Sequence, residues 1–288
     1  MPRQYWLFKS GGSMSIQVRL NVVIVNFRTP DLTLNCINSV LALKIAQPED
    51  VVVVENASPD DSYQRLRAQL PAGVRLVRSS LNRGFGAGVN LGVVAGMHDY
   101  VLVLNPDTYF VDDSLQKALD VLAAAPAIGL VGLDLTNPDG TRQYSARRFY
   151  SMLDIVGRRT SLGRSGILRE RIKRHLMVDA WAPGVPFDAD WVMGTGFVVR
   201  RSIFEELSGM DESYFLYMED VDLCARVWHS GYRVVCVPGA RLVHEHQRQS
   251  AGGLMNRASR YHLQSLLRFR NKFRVPLTFP PGINGIGR

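Results

Sequence analysis

Along the first half of the chain, short apolar runs alternate with amphipathic stretches. Asn21-Val-Val-Ile-Val-Asn26, Val51-Val-Val-Val54 and Val101-Leu-Val-Leu104 lack the polar alternation of a half-solvated strand, so they read as strands buried on both faces. A shorter strand is expected at Val74 to Val77 and another at Ile128 to Leu135. Between them fall helices from Pro30 to about Leu43, Ser62 to Leu70, the glycine-rich Asn82–Asn90 onward to about Gly96, and Asp113 to Ala124. Strands and helices in this alternation predict a mainly parallel sheet covered by helices on both faces.

The pattern breaks between Arg142 and about Asp188, where the periodicity is weak and glycines recur; this stretch reads as a partly helical, basic insertion near the active face. Periodicity returns with a strand at Trp191–Val199 and helices at Ser202–Leu207 and Glu219–Ser230. Short strands at Val234–Val237 and Ala240–Val243 and a last helix at Met255–Phe273 complete the pattern. The expected organisation is a flexible leader over 1–15, one main domain over 16–250, and an amphipathic C-terminal helix with a loose tail over 251–288.

The composition is 46% hydrophobic, ordinary for a folded protein. No apolar run approaches the roughly 20 residues that span a bilayer. Cys36, Cys224 and Cys236 lie among apolar residues without metal spacing, as buried thiols do in a reducing cytoplasm. The net charge of +8 is concentrated: ten Arg/Lys lie between Arg142 and His175, and nine between Arg241 and Arg288. Such clusters suit an anionic partner, or simply a solubilising surface.

Candidate chemistry gathers where strands end. Asp107 follows Asn105-Pro106 at the carboxyl end of a central strand, the edge where open α/β sheets bind ligands; Asn-Pro-Asp is equally a good turn tripeptide. Glu55 ends the second strand near Asn26, where a carboxylate can accept the imide N–H of a uracil or thymine ring, or merely cap a turn. In Arg83-Gly-Phe-Gly86 the third glycine of a dinucleotide fingerprint is replaced by Val89, leaving backbone amides and Arg83 that could approach phosphate, or a plain strand-to-helix turn. Glu219-Asp220-Val-Asp222 opens a helix behind the aromatic Tyr214–Met218; acids suit a first turn for dipole reasons, and one could serve as a general base. His244 of His244-Glu-His246 could join Asp107 around a hard divalent cation.

Taken in order, Asn26, Glu55-Asn-Ala-Ser58, Asn82–Asn90, Asn105-Pro-Asp107, Gly194-Thr-Gly196, Glu219-Asp220 and His244 resemble glycosyltransferase family 2, in particular its bacterial rhamnosyltransferase-like members. The resemblance covers about Leu20 to Ser250. It implies a GT-A (Rossmann-like) fold, a nucleotide-sugar donor, Mg²⁺ or Mn²⁺, and inversion at the anomeric carbon. By position, Glu55 would hold the base, with Asn26, Asn56, Arg83, Gly84, Asn90, Asn105 and Gly194 around the donor. Asp107 and His244 would hold the metal, Asp220 would be the catalytic base and Glu219 its partner. Glu55 stands where the family usually has Asp, and Asn105 stands at the first acid of the Asp-X-Asp motif.

The resulting expectation is rhamnosyl transfer from dTDP-L-rhamnose, or a UDP-hexose, to a glycan or polyprenyl-diphosphate-linked acceptor for cell-surface polysaccharide. The rivals are a nucleotidyltransferase and a non-catalytic nucleotide- or polyanion-binding module; no nucleic-acid partner is expected. On the last helix, Met255, Ala258, His262, Leu266, Phe269 and Phe273 form one stripe, with Arg257, Arg260, Arg268, Lys272 and Arg274 elsewhere. That layout suits either a helix on the anionic inner face of the plasma membrane or one docked on its own domain.

Overall fold

The computed structural model of the chain describes residues 19–149, 151, 166–245, 257–276 and 282–285. Its first half follows the predicted alternation: β1 (Leu20–Asn26), α1 (Pro30–Ala42), β2 (Val51–Glu55), α2 (Ser62–Gln69), β3 (Arg75–Arg78), α3 (Phe85–Val94) and β4 (Tyr100–Leu104). Next come β5 (Thr108–Tyr109), α4 (Leu115–Ala124), β6 (Ile128–Thr136), β7 (Arg142–Gln143) and β8 (Ala146–Arg147). The chain continues through α5 (Gly166–His175), α6 (Val178–Trp181), β9 (Phe187–Asp188), β10 (Trp191–Val192), β11 (Gly196–Arg200) and α7 (Arg201–Glu206). It ends with α8 (Glu219–His229), β12 (Arg233–His244), α9 (Arg257–Phe273) and α10 (Gly282–Gly285).

One 10-stranded sheet has the core order β3-β2-β1-β4-β11-β6-β12-β5. β1, β2, β3 and β4 are mutually parallel, β11 runs antiparallel between β4 and β6, and β12 lies parallel to β6. The functional consequence is geometric. The carboxyl ends of β1, β2, β4, β6 and β12 and the start of β11 share one edge.

Both faces are covered, which is why the strands lack alternation. On one face Val22, Ile24, Val53 and Leu104 pack with Cys36 and Ile37 of α1 and Leu119 and Leu122 of α4. On the other, Val23, Val25 and Val103 pack with Val89 and Val93 of α3, Val221 and Cys224 of α8, and Leu266, Phe269 and Phe273 of α9. Fully burying each such side chain stabilises the fold by about 1.5–3 kcal/mol. All three cysteines are buried without a disulfide, and burial pushes the Cys36 thiol up to about 12.

Several elements depart from the expectations. Part of the supposed insertion belongs to sheets: β7 pairs with β6, β9 with β12, and β8 with β10 in a separate ribbon. Two-residue strands carry too little periodicity to be seen in sequence. The strand expected over Trp191–Val199 is two, because the chain turns at 193–195 to reach another sheet. The two strands expected after Val234 are one, β12, interrupted by a register shift between Val237 and Arg241.

The apolar stripe of α9 faces the protein. Leu266, Phe269 and Phe273 are buried, Ser265 donates to the Leu216 carbonyl, and His262 stacks on Tyr217. Lys272, expected to be a free surface charge, reaches both Asp211 (2.7 Å) and the fully buried Asp222 (2.6 Å). Met255 and the side chains of Arg257 and Ala258 lie outside what is described, as do the leader and most of the tail.

Candidate active site

Asn26 and Glu55 end adjacent parallel strands in register, so their side chains share a face; neither is exposed. Glu55 Oε1 accepts from the Ser58 amide at 2.8 Å and Asn26 Oδ1 accepts from Thr33 at 3.0 Å. Glu55 Oε2 and Asn26 Nδ2 remain, buried with no hydrogen-bond partner among the described residues. A buried polar atom left unmatched costs on the order of 1–3 kcal/mol, so an orphan acceptor and an orphan donor on neighbouring strand ends mark a candidate binding position. Arg28 and Ala57, two residues beyond each, take left-handed φ of 61° and 54°. Such backbone strain concentrates at functional loops.

The glycine segment is packed closely against its neighbours. Asn56 Nδ2 donates to Asn82 Oδ1 (3.2 Å) and to the Gly84 carbonyl (3.1 Å), while the Gly84 amide is taken by Asn82. Gly84 sits at φ +99°, and a Cβ there would land on the carbonyl of Phe215. The glycine thus permits two loops to cross. Gly88 lets α3 rest on β1, since a Cβ would lie 2.6 Å from Val25. Arg83 pairs with Glu212 at 2.9 Å, and Asn90 is engaged by Met210 and Glu212. Arg83, Gly84 and Asn90 therefore tie the glycine segment to the 210–218 loop, and Asn56 braces that segment from the end of β2.

Beyond β4 the chain crosses the sheet edge. The Asn105 amide donates to the Thr195 carbonyl, Thr108 Oγ1 donates back to the Asn105 carbonyl, and β5 pairs with the end of β12. This brings Asp107 to His244: Nε2 lies 3.4 Å from Asp107 Oδ2, and the Glu245 amide donates to the Asp107 carbonyl. Gln143 donates to Asn137 Oδ1 (2.6 Å) and to the His244 carbonyl (2.9 Å). That orientation turns its own oxygen to His244 Nδ1 at 2.7 Å. An amide oxygen only accepts, so Nδ1 carries a proton, and Nε2 is the nitrogen turned to the Asp107 carboxylate.

A carboxylate and an imidazole converging this way suit a divalent cation, and the Gln143 contact is the support a metal-binding histidine normally has. Among the described residues no group of three or more His, Cys, Asp or Glu converges. This donor set fits Mg²⁺ or Mn²⁺ held together with a diphosphate and water, not a closed protein cage. Asn105 adds no carboxylate.

Glu219 and Asp220 open α8 after Tyr217 and Met218, both left-handed at φ 66° and 72°. Asp220 accepts from the Gly194 amide through Oδ2 and from the Val221 amide through Oδ1, each at 2.8 Å. The Gly194 amide thereby orients Asp220. Burial raises the pKa of Asp220, and the two amides and Arg147 oppose the rise. Glu219 is raised by burial and by the charge of Asp220, and its Oε2 has no partner among the described residues. Of the two carboxyls, Asp220 is the one supplied with hydrogen-bond donors.

A stability prediction follows for Glu219. A folded pKa raised above the unfolded one gives stability that is complete below the unfolded value and lost as pH climbs from about 4.5 through the raised value. Every tenfold gain in the folded carboxyl's proton affinity is worth about 1.4 kcal/mol. Glu219→Gln keeps the neutral form, so chemical denaturation from about pH 5 to 9 should show a flatter alkaline decline than the native chain. Parallel curves would mean that Glu219 is ionised in the fold.

Gln143, Arg147, Met193 and Glu245 went unrecognised in the sequence. Gln143 and Arg147 lie in two-residue strands, and only the return of β12 for the first and the pairing with β10 for the second show what they touch. His246 lies outside the described residues.

A sheet edge that gathers two unmatched polar atoms on neighbouring strand ends, a carboxylate–imidazole pair and a buried acidic pair has the layout of a GT-A glycosyltransferase. The chain belongs to glycosyltransferase family 2. The family model "Glycosyl transferase family 2" matches residues 21–208, and a model described as "N-terminal domain of galactosyltransferase" matches residues 174–248. The chain is 31% identical to an N-acetylglucosaminyl-diphospho-decaprenol L-rhamnosyltransferase of Mycobacterium tuberculosis over 74% of this chain and 71% of that protein. It is 29% identical to the rhamnosyltransferase WbbL of Escherichia coli, over 80% and 86% respectively. A mannosyltransferase of Pyrobaculum calidifontis, solved with GDP-Man and Mn²⁺, shares the fold with a TM-score of 0.63 at 17% identity, over 93% of this chain and 68% of that one.

Proposed function

We propose that the protein is an inverting, metal-assisted rhamnosyltransferase using dTDP-L-rhamnose, with a polyprenyl-diphosphate-linked sugar as acceptor in cell-surface glycan synthesis. The rhamnose and the lipid-linked acceptor come from the relatives' names. The carrying observation is the orphan pair at Asn26 and Glu55. An N3–H flanked by carbonyls, as in thymine or uracil, satisfies both atoms. Adenine lacks an imide. Guanine would bring an additional 2-amino group, while Glu55 Oε1 is already engaged by Ser58.

Asp220 takes the proton from an acceptor hydroxyl, which attacks the anomeric carbon opposite the leaving nucleoside diphosphate. Mg²⁺ or Mn²⁺ at Asp107 and His244 would supply charge neutralisation for that diphosphate. Calorimetry with free dTDP, UDP, GDP and ADP tests the donor reading. Thymidine or uridine diphosphate should bind tightest, and Glu55→Ala should weaken it on the order of ten- to a hundredfold. Tighter GDP binding would move the base elsewhere.

Membrane association rests on the outward face of α9, where Leu263 and Leu267 are 51% and 44% exposed beside exposed Arg260, Arg268 and Arg274. Among the described residues no helix is long and apolar enough to cross a bilayer. Each such arginine adds about 1 kcal/mol at an anionic surface. Co-sedimentation with anionic vesicles should fall with salt and with Leu263→Asp/Leu267→Asp; retention indifferent to both would exclude this face.

A further inference from the structure

A cavity of about 530 Å³ lies beside the site, lined by Asn137, Pro138, Gln143, Tyr144, Arg147, Met193 and Glu245. That is ample for a sugar and a phosphate. On one side Gln143 holds His244, and the Glu245 amide holds Asp107. On another, Met193 directly precedes Gly194, whose amide holds Asp220. The cavity therefore touches the supports of both the metal pair and the base. It stands at the end of β6, three strands from β1 and roughly 14 Å from the nucleoside end at about 4.8 Å per strand.

Arg147 is the one basic side chain among the lining residues. Arg147 places its guanidinium over the Trp191 ring (5.7 Å), with Nη2 3.5 Å from Met193 Sδ. Indole and thioether thus fix the plane of the fork at the cavity wall. A planar fork of N–H donors matches phosphate oxygens two at a time.

We propose that this cavity is the acceptor subsite and that Arg147 binds a phosphate carried by the acceptor, one sugar ring away from the hydroxyl that Asp220 deprotonates. This rests on the glycosyltransferase reading. The other source of phosphate is the donor's own diphosphate, which belongs at Asp107 and His244, next to Gln143 and Glu245 of the cavity wall. A third role for Arg147 would be electrostatic support of Asp220 alone.

The test compares Arg147→Gln with the full native chain at saturating donor, on N-acetylglucosaminyl-diphosphofarnesol and on the neutral octyl glycoside of the same sugar. KM for the diphosphate acceptor should rise on the order of ten- to a hundredfold more than KM for the glycoside. Donor KM should stay in place, and Arg147→Lys should recover part of the loss. A rise in donor KM would assign the arginine to the donor. Equal losses on both acceptors would assign it to Asp220. Either result overturns the proposal. Farnesyl diphosphate binding in EDTA is independent of turnover: native binding that Arg147→Gln loses supports the phosphate subsite even if no donor is processed, and equal binding by the two proteins overturns it.

Discussion

Asp220→Asn should lower transfer by on the order of 10²–10⁴-fold while dTDP binding stays nearly unchanged. That range is what a positioned general base contributes. The substitution preserves shape, and the asparagine oxygen can still accept from the Gly194 amide that now bonds Oδ2. The asparagine cannot take a proton at neutral pH. Because burial raises the native pKa, kcat should fall on the acid side at a pH above the ordinary aspartate range. The limb should vanish in the variant's residual rate. A variant retaining most of its turnover would make Asp220 a helix-start acid anchoring the Gly194 loop.

Asp107→Ala should weaken nucleoside diphosphate binding by about tenfold to a hundredfold or more in Mg²⁺ or Mn²⁺ and leave it unchanged in EDTA. Removal of a residue that merely supports a metal ligand typically costs that much, so loss of a ligand should cost no less. His244 would remain, held by Gln143, but one imidazole is a poor site for a hard cation. The native enzyme should lose activity in EDTA and regain it with either metal. Identical binding with and without metal in both proteins would exclude a cation at Asp107.

The parallel half of the fold was legible because doubly buried strands cannot hide among polar residues. Glu55 and Asp107 stood out for the same reason, as acids directly beyond apolar runs. What these acids meet was not legible. The glycine segment looked like a phosphate loop because a bare backbone serves phosphate and chain crossing alike. The decisive neighbour, Phe215, is more than a hundred residues downstream. The acceptor half was opaque because its residues stand on two-residue strands ordered only by long-range pairing with β6, β10 and β12. The α9 stripe was visible, but docking on a core and lying on a membrane demand the same periodicity; Lys272 and the aromatic contacts settle the stripe as docking.

The most direct test of rhamnosyl transfer is the release of free nucleoside diphosphate from a donor panel with N-acetylglucosaminyl-diphosphofarnesol present. The expected result is dTDP release from dTDP-L-rhamnose that requires both acceptor and divalent metal, ahead of the UDP-hexoses and well ahead of GDP-mannose. Release of pyrophosphate, or nucleotide binding without turnover of any donor in the panel, would contradict it.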